Sequence, residues 1–227
     1  MLEGIHKIHL IGIGGSGMRA IANILIQKGY EVSGSDVKES DVIERFRQMG
    51  ATVHIGHNAD YVQGVDAVVR STAIREDNPE IVAAKEQGIT ILHRSDIVKA
   101  VLDVTNGIAV AGAHGKTSTT SMIGQILVEG QMEPTVIIGG EVDYLKGSSC
   151  LGKGEYSVVE ADESDGSFLK LRPKTIVITN IEDDHMDHYK TMGNLLNAFC
   201  QFVETLPVDG KAVVCGDNDN IRYVMRS

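Results

Sequence analysis

One stretch decides the fold of this 227-residue chain: Ala109-Val110-Ala111-Gly112-Ala113-His114-Gly115-Lys116-Thr117-Ser118. It is typical of an apolar strand, a glycine loop and the start of a helix. In that setting Gly-Lys-Thr binds phosphate, because amide groups cradle the phosphates, the lysine reaches the β and γ oxygens, and the threonine hydroxyl holds Mg²⁺. The stretch therefore predicts an ATP–Mg²⁺ site formed by Gly112, Ala113, His114, Gly115, Lys116, Thr117 and Ser118.

The loop departs from the usual phosphate-loop spacing. The strict pattern has a glycine five residues before Gly115, where this sequence has Val110, and the glycine stands at Gly112 instead. A chance Gly-Lys-Thr is the alternative. Because the flanking strand and a Thr/Ser-rich helix start are both present, we interpret the stretch as a shortened phosphate loop.

Two polar clusters follow later apolar strands. The run 160–165 begins with Glu160, and a carboxylate at the end of a neighbouring strand can hold the Mg²⁺ of a phosphate loop. The cluster 180–188 contains Asn180 and sets His185 among acids, which suits a second metal site. Zinc is the weaker choice, since the carboxylates are hard oxygen ligands and no cysteine is near. The alternatives are a solvated acidic turn and a structural histidine.

A second glycine loop, Gly12-Ile13-Gly14-Gly15-Ser16-Gly17, lies near the start of the chain. It follows a predicted strand and opens a predicted helix, which is the setting that G-x-G-x-x-G requires to bind a diphosphate. Asp36 ends the next strand, where a ribose-binding acid would lie. The motif alone does not separate NAD from other diphosphate nucleotides, and a tight turn that binds nothing is the alternative.

Strands and helices alternate along the chain, which predicts an α/β fold. A Rossmann-like doubly wound parallel sheet is predicted in residues 1–104, followed by a P-loop NTPase-type α/β domain in residues 105–227. The polar stretch 103–106 separates them. Since a helix has only just begun at 218–227, we expect the second domain to be truncated. The predicted strands are 6–13, 31–35, 52–55, 67–71, 90–93, 107–111, 135–138, 157–161, 175–179 and 212–215, and the predicted helices are 16–28, 40–49, 78–87, 116–129 and 195–206.

Composition excludes several classes of protein. The formal net charge of −10 argues against a nucleic-acid partner, although backbone amides can still bind phosphates. No apolar run is long enough for a membrane span, and no secretory signal pattern opens the chain. The three cysteines are far apart and odd in number, so we expect free thiols and a cytoplasmic location.

These motifs, taken together and in order, resemble the Mur ligases. The loop 112–117, the acidic run 160–165 and the Asn180 to Asp187 segment are similar to the central ATPase domain of that family. The members that attach L-alanine are the most similar, on the loop 12–17 and on the stretches 33–36, 71–74 and 77–82. The resemblance covers essentially the whole chain. It implies three domains, of which a UDP-binding domain and part of the ATP-binding domain are present and the C-terminal domain is absent.

The resemblance implies an ATP-dependent reaction of cell-wall precursor synthesis. ATP phosphorylates the lactyl carboxylate of UDP-N-acetylmuramate, and the amine of L-alanine attacks the acyl phosphate to give an amide, ADP and phosphate. Lys116 and Mg²⁺ would screen the two anions as they approach. Thr117 and Glu160 would hold one Mg²⁺, and His185 a second. Asn180 would support nucleotide or substrate at its strand end.

The resemblance also changes the ligand expected at the first loop, from NAD to the UDP diphosphate. The diphosphate would lie on Gly12, Gly14, Gly15, Ser16, Gly17 and Met18, with Asp36, Ser71, Thr72 and Ala73 near the nucleoside or sugar. Several Mur ligases carry a carbamylated lysine after the histidine motif. The stretch 196–200 has no lysine here, which agrees with the alanine-adding members and leaves a water or carboxylate to replace it.

Three other functions stay open on the sequence. A ligase of the same family could attach a recycled tripeptide instead of L-alanine. An NAD(P)-dependent oxidoreductase could use the loop 12–17, but it has no need for Lys116 and Thr117. A non-catalytic fragment could bind UDP-sugar without turnover. The expected oligomeric state is a monomer or a homodimer.

Overall fold

Two β-sheets with flanking helices form the part of the chain that the computed structural model describes, residues 1–226. All five strands of the first sheet are parallel, in the order β3-β2-β1-β4-β5. The strand order reverses between β1 and β4, which is where doubly wound sheets bind ligands. The elements are β1 (Lys7–Ile11), α1 (Ser16–Gln27), β2 (Glu31–Asp36), α2 (Asp41–Gln48), β3 (Thr52–Ile55), a 3-10 turn (Ala59–Val62), β4 (Ala67–Arg70), α3 (Pro79–Glu86), β5 (Thr90–His93) and α4 (Arg94–Leu102).

The second sheet has six strands in the order β11-β10-β6-β9-β7-β8, and only β8 is antiparallel to its neighbour. The elements are β6 (Asn106–Ala111), α5 (Lys116–Glu129), β7 (Thr135–Val142), a 3-10 turn (Asp143–Leu145), β8 (Gly147–Cys150), β9 (Tyr156–Glu160), a 3-10 turn (Ser167–Lys170), β10 (Thr175–Ile178), α6 (Met186–Tyr189), α7 (Met192–Glu204), β11 (Lys211–Val214) and α8 (Asp219–Val224).

The predicted α/β fold is confirmed, and the elements that the sequence patterns missed include helix α4, strand β8 and the short helix α6. Helix α4 begins directly after β5, because His93 ends the strand and also caps the helix in a capping box with Asp96. Strand β8 is rich in glycine and serine and has low strand propensity. It forms because Ser149 is buried and bonded to α1, accepting a hydrogen bond from the Asn23 amide at 3.0 Å.

One buried apolar cluster runs through both sheets. It includes Leu10 and Ile21 on the first sheet side, and Ile137 and Val159 on the second. Helix α1 connects β1 to β2 of the first sheet, and it also packs on β7 and β8 of the second sheet. The shared core therefore fixes the loop before α1 relative to the second sheet.

Cysteine state and helix length bear on the class of protein. The three cysteines are free thiols, as expected: Cys150, Cys200 and Cys215. Within residues 1–226, none of the helices has the length and apolar character needed to cross a membrane.

The buried carboxylate of Glu80 contacts several polar side chains in and beside the first sheet. Glu80 and His9 are both fully buried, and the Glu80 Oε2 accepts a hydrogen bond from the Ser35 hydroxyl at 2.7 Å. The Glu80 Oε1 lies 3.2 Å from the His57 Nδ1, and His9 Nε2 lies 3.4 Å from Oε2. Burial alone would raise the pKa of the Glu80 carboxyl, but the contacts with His9, Ser35 and His57 outweigh it and lower that pKa.

This network makes stability depend on pH in a defined direction. A carboxyl whose pKa is lower in the folded state stabilises the fold above its unfolded pKa and loses that contribution as pH falls through the folded pKa. We expect Glu80→Gln to lower the free energy of unfolding by about 2–3 kcal/mol at neutral pH, because buried partners lose their charge complement. In urea titrations the difference from wild type should shrink as the pH falls below the ordinary glutamate pKa of 4.5. A difference that stayed constant down to strongly acidic pH would contradict this assignment.

Candidate active site

The second glycine loop joins β6 to α5 with two residues at positive φ. Gly112 has φ +131° and Gly115, the residue that caps α5, has φ +82°. A Cβ atom on Gly112 would lie 2.2 Å from the Thr179 Oγ1 and 2.8 Å from the Asn180 carbonyl oxygen, so only glycine fits there. No side chain caps α5 and no acid lies in its first turn. Its first amide groups are therefore suited to bind an anion.

The end of β10 braces this loop. The His114 amide donates to the Asn180 Oδ1 at 2.9 Å, and the Asn180 Nδ2 donates to the His114 carbonyl oxygen at 2.9 Å. The Thr179 hydroxyl donates to the same carbonyl oxygen at 2.7 Å. The Asn180 amide group is thus engaged by the loop backbone, and its predicted support of the nucleotide would act through the shape of the loop.

Lys116 is held by two oxygen atoms. Its Nζ donates to the Gly112 carbonyl oxygen and to the Glu163 Oε1, each at 2.7 Å. Glu163 is only 1% exposed, and its Oε2 has no hydrogen-bond partner. Burial raises the pKa of the Glu163 carboxyl, against the bond from Lys116. Glu163 was not singled out within the run 160–165 from the sequence, and it is distinguished in the fold by its burial and by its bond from Lys116.

Glu160 lies at the end of β9, next to the start of α5. Burial raises the pKa of its carboxyl, against hydrogen bonds from the Gly139 amide and the Thr117 hydroxyl. A Cβ atom on Gly139 in β7 would lie 2.7 Å from the Glu160 Oε2. The carboxylate therefore fits beside β7 because residue 139 is a glycine. The Glu160 Oε1 is buried without a hydrogen-bond partner.

The Thr117 hydroxyl and the Glu160 carboxylate fit a Mg²⁺ ion. Both are hard oxygen ligands, and Mg²⁺ is usually bound by one or two carboxylates together with phosphates and water. Within residues 1–226 no three His, Cys, Asp or Glu side chains are grouped as a metal site. A Mg²⁺ that shares its ligands with a nucleotide needs no such group.

His185 lies near Ala113 of the second glycine loop. It has φ +57° and begins α6, a backbone conformation that is uncommon for a residue with a side chain. Its Nε2 lies 3.7 Å from the Glu163 Oε1 and 3.6 Å from the Asp184 Oδ2. His185 also lines a small pocket with Ala113 and Glu163. The structure therefore brings His185 and Lys116 together through Glu163.

The first glycine loop is braced by Asp36. The Gly14 amide donates to the Asp36 Oδ2 and the Val37 amide donates to Oδ1, both at 2.8 Å. A Cβ atom on Gly14 would lie 2.9 Å from the Asp36 Oδ2. Both Asp36 carboxylate oxygens accept backbone bonds, so in this conformation the residue shapes the loop, and its contact with a nucleoside stays a prediction.

A cleft of about 640 Å³ extends from the first glycine loop to Lys116, at the end of the second. Lys116 and Glu160 line one side of it, whereas Asn180 and His185 are not among its lining residues. All ten residues predicted for UDP-sugar binding line the cleft: Gly12, Gly14, Gly15, Ser16, Gly17, Met18, Asp36, Ser71, Thr72 and Ala73.

Arg94 links the two sides of this cleft. Its guanidinium forms an ion pair with Asp162, just past the end of β9, and its Nη1 lies 3.1 Å from the place of a Cβ atom on Gly17. The Thr72 hydroxyl donates to the Asp165 Oδ2 at 3.1 Å, which makes a second bond between the sheets. The sequence analysis missed Arg94. Its position directly after β5 was the available signal, because ligands bind beyond the carboxyl ends of parallel strands.

Two family profiles match the chain. Residues 7–104 match the Mur ligase family catalytic domain, and residues 110–227 match the Mur ligase middle domain. The chain belongs to the Mur ligase family. Together the two matches cover both glycine loops, the acidic run and the His185 segment.

Curated relatives of this Mur ligase chain include a UDP-N-acetylmuramate–L-alanine ligase from Desulfatibacillum aliphaticivorans, 48% identical over 217 residues, or 96% of this chain and 48% of the relative. A ligase of the same name from Geotalea daltonii is 45% identical over 225 residues, or 99% of this chain and 49% of the relative. The chain thus spans about half the length of these curated relatives.

Solved structures agree with this family. A UDP-N-acetylmuramate-alanine ligase from Thermotoga maritima is 32% identical with a TM-score of 0.88, covering 96% of this chain and 51% of that chain. A UDP-N-acetylmuramate:L-alanyl-gamma-D-glutamyl-meso-diaminopimelate ligase from Neisseria meningitides is 28% identical with a TM-score of 0.91, covering 98% of this chain and 75% of that chain.

Proposed function

We propose that this chain is the UDP-sugar-binding domain (residues 1–104) and part of the ATP-binding domain (residues 105–227) of an ATP-dependent ligase. The whole protein would join L-alanine to the lactyl carboxylate of UDP-N-acetylmuramate through an acyl phosphate. One observation carries the proposal: a single cleft is lined by the first glycine loop and, on its other side, by Lys116 and Glu160 of the ATP site. Two phosphate-binding elements on one cleft suit the transfer of a phosphoryl group from one nucleotide to a second, nucleotide-linked substrate.

The chain's own residues would act mainly on charge and position. Lys116 would neutralise the β and γ phosphates, so that an anionic carboxylate can approach them. The amides at the start of α5 would hold the phosphates, and Asn180 would keep that loop in shape through His114. Thr117 and Glu160 would hold Mg²⁺, which when bound stabilises the charge that develops on the transferred phosphoryl group. His185 would serve a second Mg²⁺ beside the carboxylate.

The first loop would bind the diphosphate of the UDP-sugar. Ser16 and Gly17 begin α1, which has no side-chain cap and no acid in its first turn, so their amides are suited to an anion. The Met18 amide already donates to the Gly15 carbonyl oxygen at 2.9 Å, so Met18 would contribute by its place in the lining of the cleft. Arg94 stands at the same end of the helix and would add a positive charge. Ser71, Thr72 and Ala73 line the cleft farther along and would contact the nucleoside or sugar.

The tripeptide-attaching ligase is the second candidate, because the Neisseria structure is that of such an enzyme. Alanine is favoured, since curated relatives named for that reaction are 45–49% identical to this chain and the tripeptide ligase is 28% identical. A dehydrogenase is disfavoured by the second loop, which such an enzyme does not need.

Calorimetry on the 227-residue chain tests the first half of the proposal. We expect UDP-N-acetylmuramate to bind with a Kd in the micromolar range, about −8 kcal/mol or weaker. NAD should give no measurable heat, because the glycine loop is the part of the cleft that matches a dinucleotide site, and Lys116 and Glu160 on the other side suit ATP and Mg²⁺ instead of a nicotinamide. Tight NAD binding without binding of the UDP-sugar would exclude the ligase.

A further inference from the structure

The pair formed by Lys116 and Glu163 is the most buried ionic contact of the ATP site. The Lys116 side chain is 17% exposed and that of Glu163 is 2% exposed. The pair joins the beginning of α5 to a turn 47 residues later, and the Tyr189 hydroxyl donates to the Glu163 carbonyl oxygen at 2.5 Å, which fixes that turn from behind. Glu163 is therefore held in place independently of Lys116.

The phosphates of ATP and the Glu163 carboxylate would compete for one ammonium group. Lys116 reaches Glu163 at 2.7 Å, so a phosphate oxygen bound to the same Nζ would lie within a few ångströms of a buried carboxylate. Two anions at that distance repel strongly where water is excluded. The Lys116 ammonium cannot bind both anions at optimal distance. Because the phosphates carry the larger charge, the ammonium should move to them.

We propose that Glu163 is a positioning residue of the ATP site, which holds the Lys116 ammonium against the loop in the nucleotide-free protein and releases it to the incoming phosphates. The inference rests on the ATP site of the proposed function. It adds a residue that neither the loop motif nor the acidic strand end identified, and it makes nucleotide binding an exchange of partners at Lys116.

The released carboxylate would then need another cation, because a buried charge that loses its partner is costly. His185 is the group in place for this, with its Nε2 3.7 Å from the Glu163 Oε1. The Glu163 Oε2 is buried and has no hydrogen-bond partner, so it could accept a further bond. A Mg²⁺ ion at His185 would thus stabilise the state in which Lys116 has moved to the phosphates.

The test compares Glu163→Gln with Asp165→Asn in the 227-residue chain. Both changes remove one negative charge, but the Asp165 carboxylate contacts Thr72 and His93 instead of Lys116. Two quantities are measured: the rate at which acetic anhydride labels Lys116 in nucleotide-free protein, by mass spectrometry, and the Kd of ATP in the presence of EDTA.

We expect Glu163→Gln to label Lys116 several times faster than wild type and to bind ATP about tenfold more tightly, which is the weight of one exchanged ionic contact. Asp165→Asn should change neither quantity. Wild-type labelling and affinity in Glu163→Gln, or equal tightening in Asp165→Asn, would overturn the proposal. If Glu163→Gln does not fold, Glu163→Asp keeps the charge but shortens the side chain, and unchanged labelling of Lys116 there would overturn it equally. Failure of the wild type to bind ATP would instead overturn the proposed function.

Discussion

Lys116→Ala in the full-length protein is expected to lower the rate of substrate-dependent phosphate release by about 10³-fold or more. The reason is electrostatic: removal of one preorganised positive group from a transition state that carries phosphoryl charge typically costs several kcal/mol. The loss should lie mainly in kcat, because ATP binding also uses the loop amides. The measurement is phosphate release at saturating UDP-N-acetylmuramate, L-alanine and ATP.

The matched control for this prediction is Lys174→Ala. Lys174 is half exposed and pairs with Asp209, and it does not line the cleft. The substitution Lys174→Ala removes the same charge as Lys116→Ala. It should leave the rate of phosphate release within about twofold of wild type, as expected for a surface position. Comparable losses in the two variants would mean that Lys116 acts through overall charge or folding.

Gly112→Ala is expected to destabilise the chain by about 3 kcal/mol or more and to abolish ATP binding. The added Cβ would collide with the Thr179 hydroxyl and with the Asn180 backbone, in a backbone conformation that favours glycine. Overpacking and strain each contribute about 1–3 kcal/mol. The free energy of unfolding from urea titration measures the first effect, and calorimetry with ATP the second.

Gly115→Ala separates strain from collision. Gly115 also has positive φ, but nothing lies within 4 Å of the place of its Cβ atom. We expect a loss of only about 1 kcal/mol there, from backbone strain alone. If Gly115→Ala were as damaging as Gly112→Ala, the close contact between the loop and β10 would not explain the requirement for glycine.

The sequence predicted the parts of this fold that follow from local pattern. Apolar runs bounded by glycine loops identified the central strands, and the loops themselves predicted where each sheet meets its ligand. The helix α4 was missed because one residue, His93, serves both the end of a strand and the cap of a helix. Strand β8 was missed because its stability comes from burial against α1, which no local pattern records.

The candidate site was predictable only in part for a related reason. Motif positions identify a residue by its neighbours in sequence, and this was sufficient for Lys116 and Thr117. Glu163 and Arg94 acquire their roles from partners 47 and 68 residues away, so tertiary packing alone reveals them. For Asp36 the motif position predicts a ligand contact, but it gives no sign that the Asp36 Oδ2 also accepts a bond from the Gly14 amide.

In the proposed reaction, ATP bound at the loop 112–117 phosphorylates a carboxylate carried by the nucleotide at the loop 12–17. The most direct measurement is isotope transfer with full-length protein, using UDP-N-acetylmuramate whose lactyl carboxylate is labelled with ¹⁸O. An acyl phosphate intermediate places one carboxylate oxygen in the phosphate that L-alanine displaces. We expect each phosphate released in the presence of L-alanine to carry one oxygen from the carboxylate. If phosphate were released at the same rate from the labelled substrate but carried no ¹⁸O, the acyl phosphate mechanism would be excluded.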